Sequence, residues 1–156
     1  DTDGEYRVRP LPISKEFRQE FHDHLVMFYT GQTRKSYNIS NSHDNQKAEK
    51  DKQEIHQIAK EALQAFTNED IKTIGKLLDK SWQHKKKTSK LISTKKIDDI
   101  YTTTKYHSCL GFKLLGAGGS GFVICLTEDR NRLLKNINLP HIDFSFDFEG
   151  SKIVLQ

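Results

Sequence analysis

Apolar residues recur along this chain at two periods, helical over its middle third and strand-like after Gly111. From Ala48 onward Ile55, Ile58, Ala59, Ala62, Leu63 and Phe66 fall three and four apart, which predicts a helix with one face against a core. Thr67-Asn68 interrupts that stripe. Asn68 suits the cap of a second helix carrying Ile71, Ile74, Leu78 and Trp82. A third, short helix is expected after Ser93-Thr94, with Ile97, Ile100 and Tyr101 inward. Near the start, Ser14 suits the N-cap of "KEFRQEFHDH", in which Phe17 and Phe21 share a face. "LVMFYT" (25–30) predicts a short buried strand halted at Gly31. "EYRVRPLPI" (5–13) alternates and predicts a strand ending at Pro10 and Pro12, while 36–46 shows no clear period.

After Gly111, "FKLLGA" and "FVICLT" read as strands on either side of a glycine loop, and "EDRNRLLKNI" as a short helix. "HIDFSFDFEG" alternates fully, with Ile142, Phe144, Phe146 and Phe148 on one side and Asp143, Ser145, Asp147 and Glu149 on the other. That predicts a half-buried strand, and "KIVLQ" a last one after Gly150-Ser151. Strands at both ends around helical stretches indicate an α+β fold, a mainly antiparallel sheet with helices on one face.

Composition narrows the classes. With 156 residues, 35% hydrophobic and 29% charged, the chain is sized for one domain with a core of its own. It has no apolar run near the roughly 20 residues of a membrane span, and no signal-peptide pattern. Cys109 and Cys125 make neither a disulfide framework nor a zinc site; Cys125 reads as a small core residue, and an intracellular, reducing setting is expected. The net charge of +4 is modest and local to "KKKTSK" (85–90) and "TKK" (94–96). No basic strand with stacking aromatics points to nucleic acid, so no nucleic-acid or membrane partner is expected, whereas small anions suit the charge. The chain opens on Asp1 and its sole methionine is Met27, so a piece of a longer polypeptide is expected.

The densest chemistry lies in "GAGGSG", Gly116, Ala117, Gly118, Gly119, Ser120 and Gly121. Its spacing fits G-x-G-x-x-G, but a dinucleotide turn must open a helix, and here Phe-Val-Ile-Cys-Leu follows, a strand signal. No Gly-Lys-Ser/Thr follows either, which excludes a Walker loop. A tight hairpin needs one or two glycines, yet four fall within these six positions, each costing about 0.5–1 kcal/mol relative to alanine. That density fits a backbone approached closely by another backbone or by a phosphate.

"KLLGAGGSGFVICL" closely resembles the third conserved motif of the GHMP small-molecule kinases, a glycine-rich strand–loop–strand in their C-terminal domain. "PLPISKEFRQEFHDHLVMFYTGQTRKS", "LLDKSWQHKKKTSKLIS", "IDDIY" and "FDFEGSKIV" extend the likeness in order through nearly the whole chain, towards the kinases of D-glycero-D-manno-heptose 7-phosphate. The resemblance implies a ferredoxin-like C-terminal domain spanning 1–156 and an ATP- and Mg2+-dependent, cytoplasmic kinase. Its activity would be transfer of the γ-phosphoryl group to the anomeric hydroxyl of a heptose phosphate. The family's main phosphate motif, of the type P-x-x-G-L-G-S-S, does not occur in the chain. It and the catalytic residues would belong to an N-terminal domain preceding Asp1, which would be the chain's partner. The chain alone would then be inactive and, with that docking surface bare, prone to self-association. Two positions depart from the family. Ser120 replaces a glycine, and Phe112 replaces a residue that is often glycine, bringing bulk close to the loop. The other function class is a non-catalytic α+β interaction module that kept the fold.

Further candidates have two readings each. Thr30, Gly31, Thr33 and Arg34 would offer hydroxyls and a guanidinium to a sugar phosphate, in keeping with the family's Thr-Gly followed by Arg, or form a solvated loop. Trp82, Lys85, Lys86 and Ser89 share a helix side. Trp82 and Lys86 would stack on and neutralise a sugar phosphate, or Trp82 is a core residue at a helix end with solvated lysines. Lys113 is expected to point outward. His22-Asp23-His24 points in three directions and places no metal, and Asp143, Asp147 and Glu149 read as a solvated strand face.

Overall fold

A computed structural model of the chain describes residues 10–31, 45–116 and 118–148, without the side chains of 45–47. The expected strand over 5–9, the stretch up to residue 44 and the last strand "KIVLQ" lie outside the described residues. In chain order the elements are α1 (Lys15–Asp23), β1 (Leu25–Tyr29), α2 (Asn45–Thr67), α3 (Ile71–Lys87) and α4 (Lys95–Tyr106). Then follow β2 (Cys109–Leu114), β3 (Phe122–Thr127), α5 (Arg130–Asn136) and β4 (His141–Ile142). The four strands form one antiparallel sheet in the order β2-β3-β1-β4. This is a β-α-β-β-α-β, ferredoxin-like arrangement of an α+β fold, as expected.

Strand register sorts the core. Val26, Phe112 and Cys125 pair across the sheet and share a face with Phe28, Leu114 and Val123. Ile97 and Ile100 of α4, Leu133 of α5, Ile92 and Trp82 close that face. Leu25, Leu110, Ile124 and Leu126 point the other way and meet Phe17 of α1, Ile58 and Ala65 of α2, and Ile74 and Leu77 of α3. Helices thus cover both faces of the sheet, α4 and α5 on one and α1 with the α2–α3 hairpin on the other, where helices on one face were expected. α3 sits very close to β2, because a Cβ on Gly75 would fall 2.8 Å from the Cβ of Leu110. Gly111 faces the Gly75 backbone and lies inside β2, so it marks a close approach and not the strand's start.

Several local expectations hold through their caps. The Ser14 hydroxyl accepts from Phe17 N–H at 3.0 Å, and Thr94 accepts from Ile97 N–H at 3.4 Å. Others are corrected. Asp70, not Asn68, caps α3, with Oδ1 accepting from Thr73 N–H at 3.0 Å. The chain first turns through Glu69 at φ +54°, whose carboxylate accepts from Ser14 N–H at 2.8 Å. Leu63 is 52% exposed and lies off the buried stripe of α2. Residues 10–13 form no strand; Ile13 N–H donates to Leu11 O in a tight turn between the prolines and α1.

Among its described residues, the alternating run after Pro140 pairs with β1 only through His141 and Ile142. By strand alternation the Leu25 carbonyl faces β4, since the His24 carbonyl takes Thr127 N–H on the β3 side. Arg130 donates to that Leu25 carbonyl, which ends the ladder. The phenylalanines turn onto α1 instead. Phe146 stacks on Phe21 at 6.3 Å, the Phe144 carbonyl bonds the His22 imidazole at 2.7 Å, and Arg18 lies 4.7 Å from the Phe148 ring.

Candidate functional site

The glycine loop leaves β2 after Leu114 and enters β3 at Phe122, closed at its base by Leu115 N–H donating to Phe122 O at 2.8 Å. Gly116, Gly118, Gly119 and Gly121 have φ of +71°, +124°, +77° and +103°, a region nearly barred to residues with a Cβ. Three neighbours hold this conformation. Gly119 N–H donates to the Ile92 carbonyl at 2.8 Å, and a Cβ on Gly118 would stand 2.9 Å from Ile92 Cα. Thr30 N–H donates to Gly121 O at 2.8 Å, and the Thr30 hydroxyl accepts from Gly121 N–H at 3.1 Å. Lys85 Nζ donates to Gly116 O at 2.6 Å and to Leu114 O at 3.3 Å.

The glycine density therefore has a backbone cause: the loop is pressed on the segment around Ile92. Among the described residues its outer edge is open: none lies within 4 Å of a Cβ built on Gly116 or Gly121, and Ser120 between them is half-exposed. Ala117 lies outside the described residues.

Two ammonium groups bracket that edge. Lys85 stands at the Gly116 side. Lys96, at the start of α4, holds its Nζ 3.3 Å from where a Gly31 Cβ would be, next to the Thr30–Gly121 pair. Burial, and after it the Lys113 charge, pushes the Lys85 pKa below the usual lysine value. Without a carboxylate partner among the described residues, Lys85 and Lys96 leave the loop's surroundings positive. The arrangement can receive a phosphate-bearing anion through charge and open main chain.

The remaining candidates separate. Thr30 is fully buried and braces the loop from inside, so its hydroxyl is not presented to a ligand. Thr33 and Arg34 lie outside the described residues. Trp82 is fully buried, its ring 5.7 Å from Phe112, and is the core residue at a helix end. Lys86 turns to α4, 3.5 Å from the Asp98 carboxylate and 5.1 Å from the Tyr101 ring. Lys85, one residue earlier, is the lysine that meets the loop. Phe112, expected near the loop, is buried between Trp82 and Tyr101 on the core face. Lys113, expected outside, is half-buried with Nζ 3.3 Å from Ser81 Oγ. His22 and His24 each bond a different backbone carbonyl, of Phe144 and Thr127. Lys96 stood in the basic run 94–96 without being singled out, because only the fold brings the start of α4 to the end of β1.

Comparison with known proteins places the chain in a family. Residues 59–138 match the family of GHMP kinases, C terminal. The chain is 29% identical over 155 residues to a D-glycero-alpha-D-manno-heptose 7-phosphate kinase of Campylobacter jejuni, covering 93% of this chain but 45% of that protein. A putative sugar kinase structure from Campylobacter jejuni superposes with a TM-score of 0.64 at 25% identity, over 93% of this chain and 43% of that one. A mevalonate kinase structure superposes at 0.62 with 26% identity, over 83% of this chain and 42% of that one. The chain thus spans less than half the length of each of these relatives. A match over half of the chain, which takes in α3, α4 and the glycine loop, shows that this protein belongs to the GHMP kinases and carries their C-terminal domain.

Proposed function

We propose that the chain forms one half of an ATP- and Mg2+-dependent sugar kinase of the cytoplasm, with a heptose 7-phosphate as acceptor at its anomeric hydroxyl. The observation that carries this is the glycine loop, held with an open edge between Lys85 and Lys96. Phosphoryl transfer asks the protein mainly for positioning and charge neutralisation. The acceptor oxygen forms a bond to the γ-phosphorus as the bond to the β-phosphate oxygen breaks, and ADP leaves with the electron pair. Lys85, Lys96 and the loop's main chain would orient the anionic groups and offset their charge. The acceptor proton and the metal ion would be handled by the N-terminal domain, together with a P-x-x-G-L-G-S-S type loop that the 156 residues do not contain. On this reading the chain alone has no turnover. The likeness to a heptose 7-phosphate kinase supports the choice of acceptor.

The test is a substrate panel on the polypeptide encoded by the complete gene, with ADP release measured on heptose 7-phosphate, fucose and mevalonate. The expected kcat/KM for heptose 7-phosphate exceeds the others by about 100-fold or more, because a site built for a sugar phosphate leaves charges unpaired with neutral fucose and only partly paired with mevalonate, an acyclic monocarboxylate. Preference for fucose or mevalonate would reassign the acceptor.

A further inference from the structure

Away from the glycine loop, the hairpin of α2 and α3 encloses a cavity of about 270 Å³ against the sheet face that carries Lys113. Its walls are apolar side chains, among them Ile58, Ala62, Phe66 and Leu78, and its polar groups are Ser81 and Lys113. Lys113 Nζ donates to Ser81 Oγ at 3.3 Å, and among the described residues no carboxylate pairs with it. Burial pushes its pKa below the usual lysine value. Removing an ammonium from water without a counter-charge is unfavourable unless an anion joins it. An apolar cavity with one convergent unpaired cation is the plan of a small-molecule site.

We propose that this cavity binds a medium-chain fatty acid, its carboxylate on Lys113 and Ser81 and its chain among the apolar walls. One ammonium and one hydroxyl match the two oxygens of a carboxylate. A phosphate monoester, with about −1.5 to −2 charge and three acceptor oxygens, would outrun them. A dry cavity of about 150 Å³ holds benzene, so this one takes about ten heavy atoms, the size of octanoate. The proposal does not use the kinase reading, although Ser81 lies one turn before the loop lysine Lys85 on the same side of α3.

The experiment titrates the full chain calorimetrically with octanoate and, separately, with octanol as the uncharged counterpart. Octanoate is expected to bind at least about tenfold tighter than octanol, the scale of one charge-assisted hydrogen bond. Lys113→Gln, checked for folding by circular dichroism, is expected to erase that preference while octanol binding stays. Nuclear Overhauser contacts from the octanoate methylenes to the methyls of Ile58, Ile74 and Leu78 are expected in the native chain. No octanoate binding at millimolar concentration, equal affinity for acid and alcohol, an undiminished preference in Lys113→Gln, or contacts to other methyls would each overturn the proposal.

Discussion

Gly118 and Gly116 share a loop and a positive φ but differ in what surrounds them. A Cβ on Gly118 would stand 2.9 Å from Ile92 Cα and 3.2 Å from Ile92 O, at φ +124°. One on Gly116, at φ +71°, would meet none of the described residues within 4 Å. Gly118→Ala is therefore expected to cost about 2–4 kcal/mol, strain and overpacking together. Gly116→Ala is expected to cost about 1 kcal/mol, for the left-handed conformation alone. Urea unfolding of the two variants checks this, and equal losses would show that the Ile92 contact does not hold the loop. At this scale the sequence was partly legible. Glycine density announced a close approach, but not that the approaching group is the backbone of Ile92. Nor could it distinguish Lys85 from Lys86. Neighbours on one helix diverge by about 100°, and only the packed position of α3 decides which one reaches Gly116.

Among elements, the contact of α3 with β2 shapes the molecule most. Gly75 lets the helix backbone settle on Gly111, and this brings Ser81 and Lys85 of α3 to Lys113 and to the loop. Gly75→Ala gains about 1 kcal/mol of helix propensity, yet its Cβ would lie 2.8 Å from the Cβ of Leu110 and 3.3 Å from Leu126 Cδ2. A net loss of about 1–2 kcal/mol is expected in thermal or urea unfolding, and a stabilised variant would refute the close contact. The helices and most strands were readable because their apolar periods are long and clean. Two elements were not. The cap moved from Asn68 to Asp70 because the chain needs a left-handed step at Glu69 before α3 can start. The phenylalanine run past Ile142 alternates as a strand does, but Arg130 occupies the β1 carbonyl it would need, an obstacle from a separate helix that alternation cannot reveal.

Across the whole molecule, Asp79 joins layers that the two sheet faces keep apart. Tyr101 Oη donates to Asp79 Oδ2 at 3.1 Å, and Lys105 Nζ lies 3.4 Å from Asp79 Oδ1, linking α4 to α3 around the edge of the sheet. Burial, followed by the Asp79 charge, raises the Tyr101 phenol from 10.0 to about 12. A group that binds its proton more tightly in the fold contributes fully below its unfolded pKa, about 10 here, and loses that contribution as pH climbs towards about 12. Lys85 and Lys113 have the opposite sign: folding lowers their pKa, so their penalty fades as pH rises towards 10.5. Comparison with Tyr101→Phe cancels the lysines. The native chain is expected to lose stability relative to that variant between pH 10 and 12, and parallel urea midpoints would contradict the Tyr101 assignment.

The molecule as a whole presents a glycine loop with Lys85 and Lys96 beside it, in a fold that matches less than half of its kinase relatives. The most direct measurement is ADP release with ATP, Mg2+ and heptose 7-phosphate, run side by side on the 156-residue chain and on the polypeptide encoded by the complete gene. The expected result is turnover by the longer polypeptide, lost in its Gly118→Ala variant, and none above background for the chain alone. Turnover by the chain alone, or none by the longer polypeptide, would contradict the account.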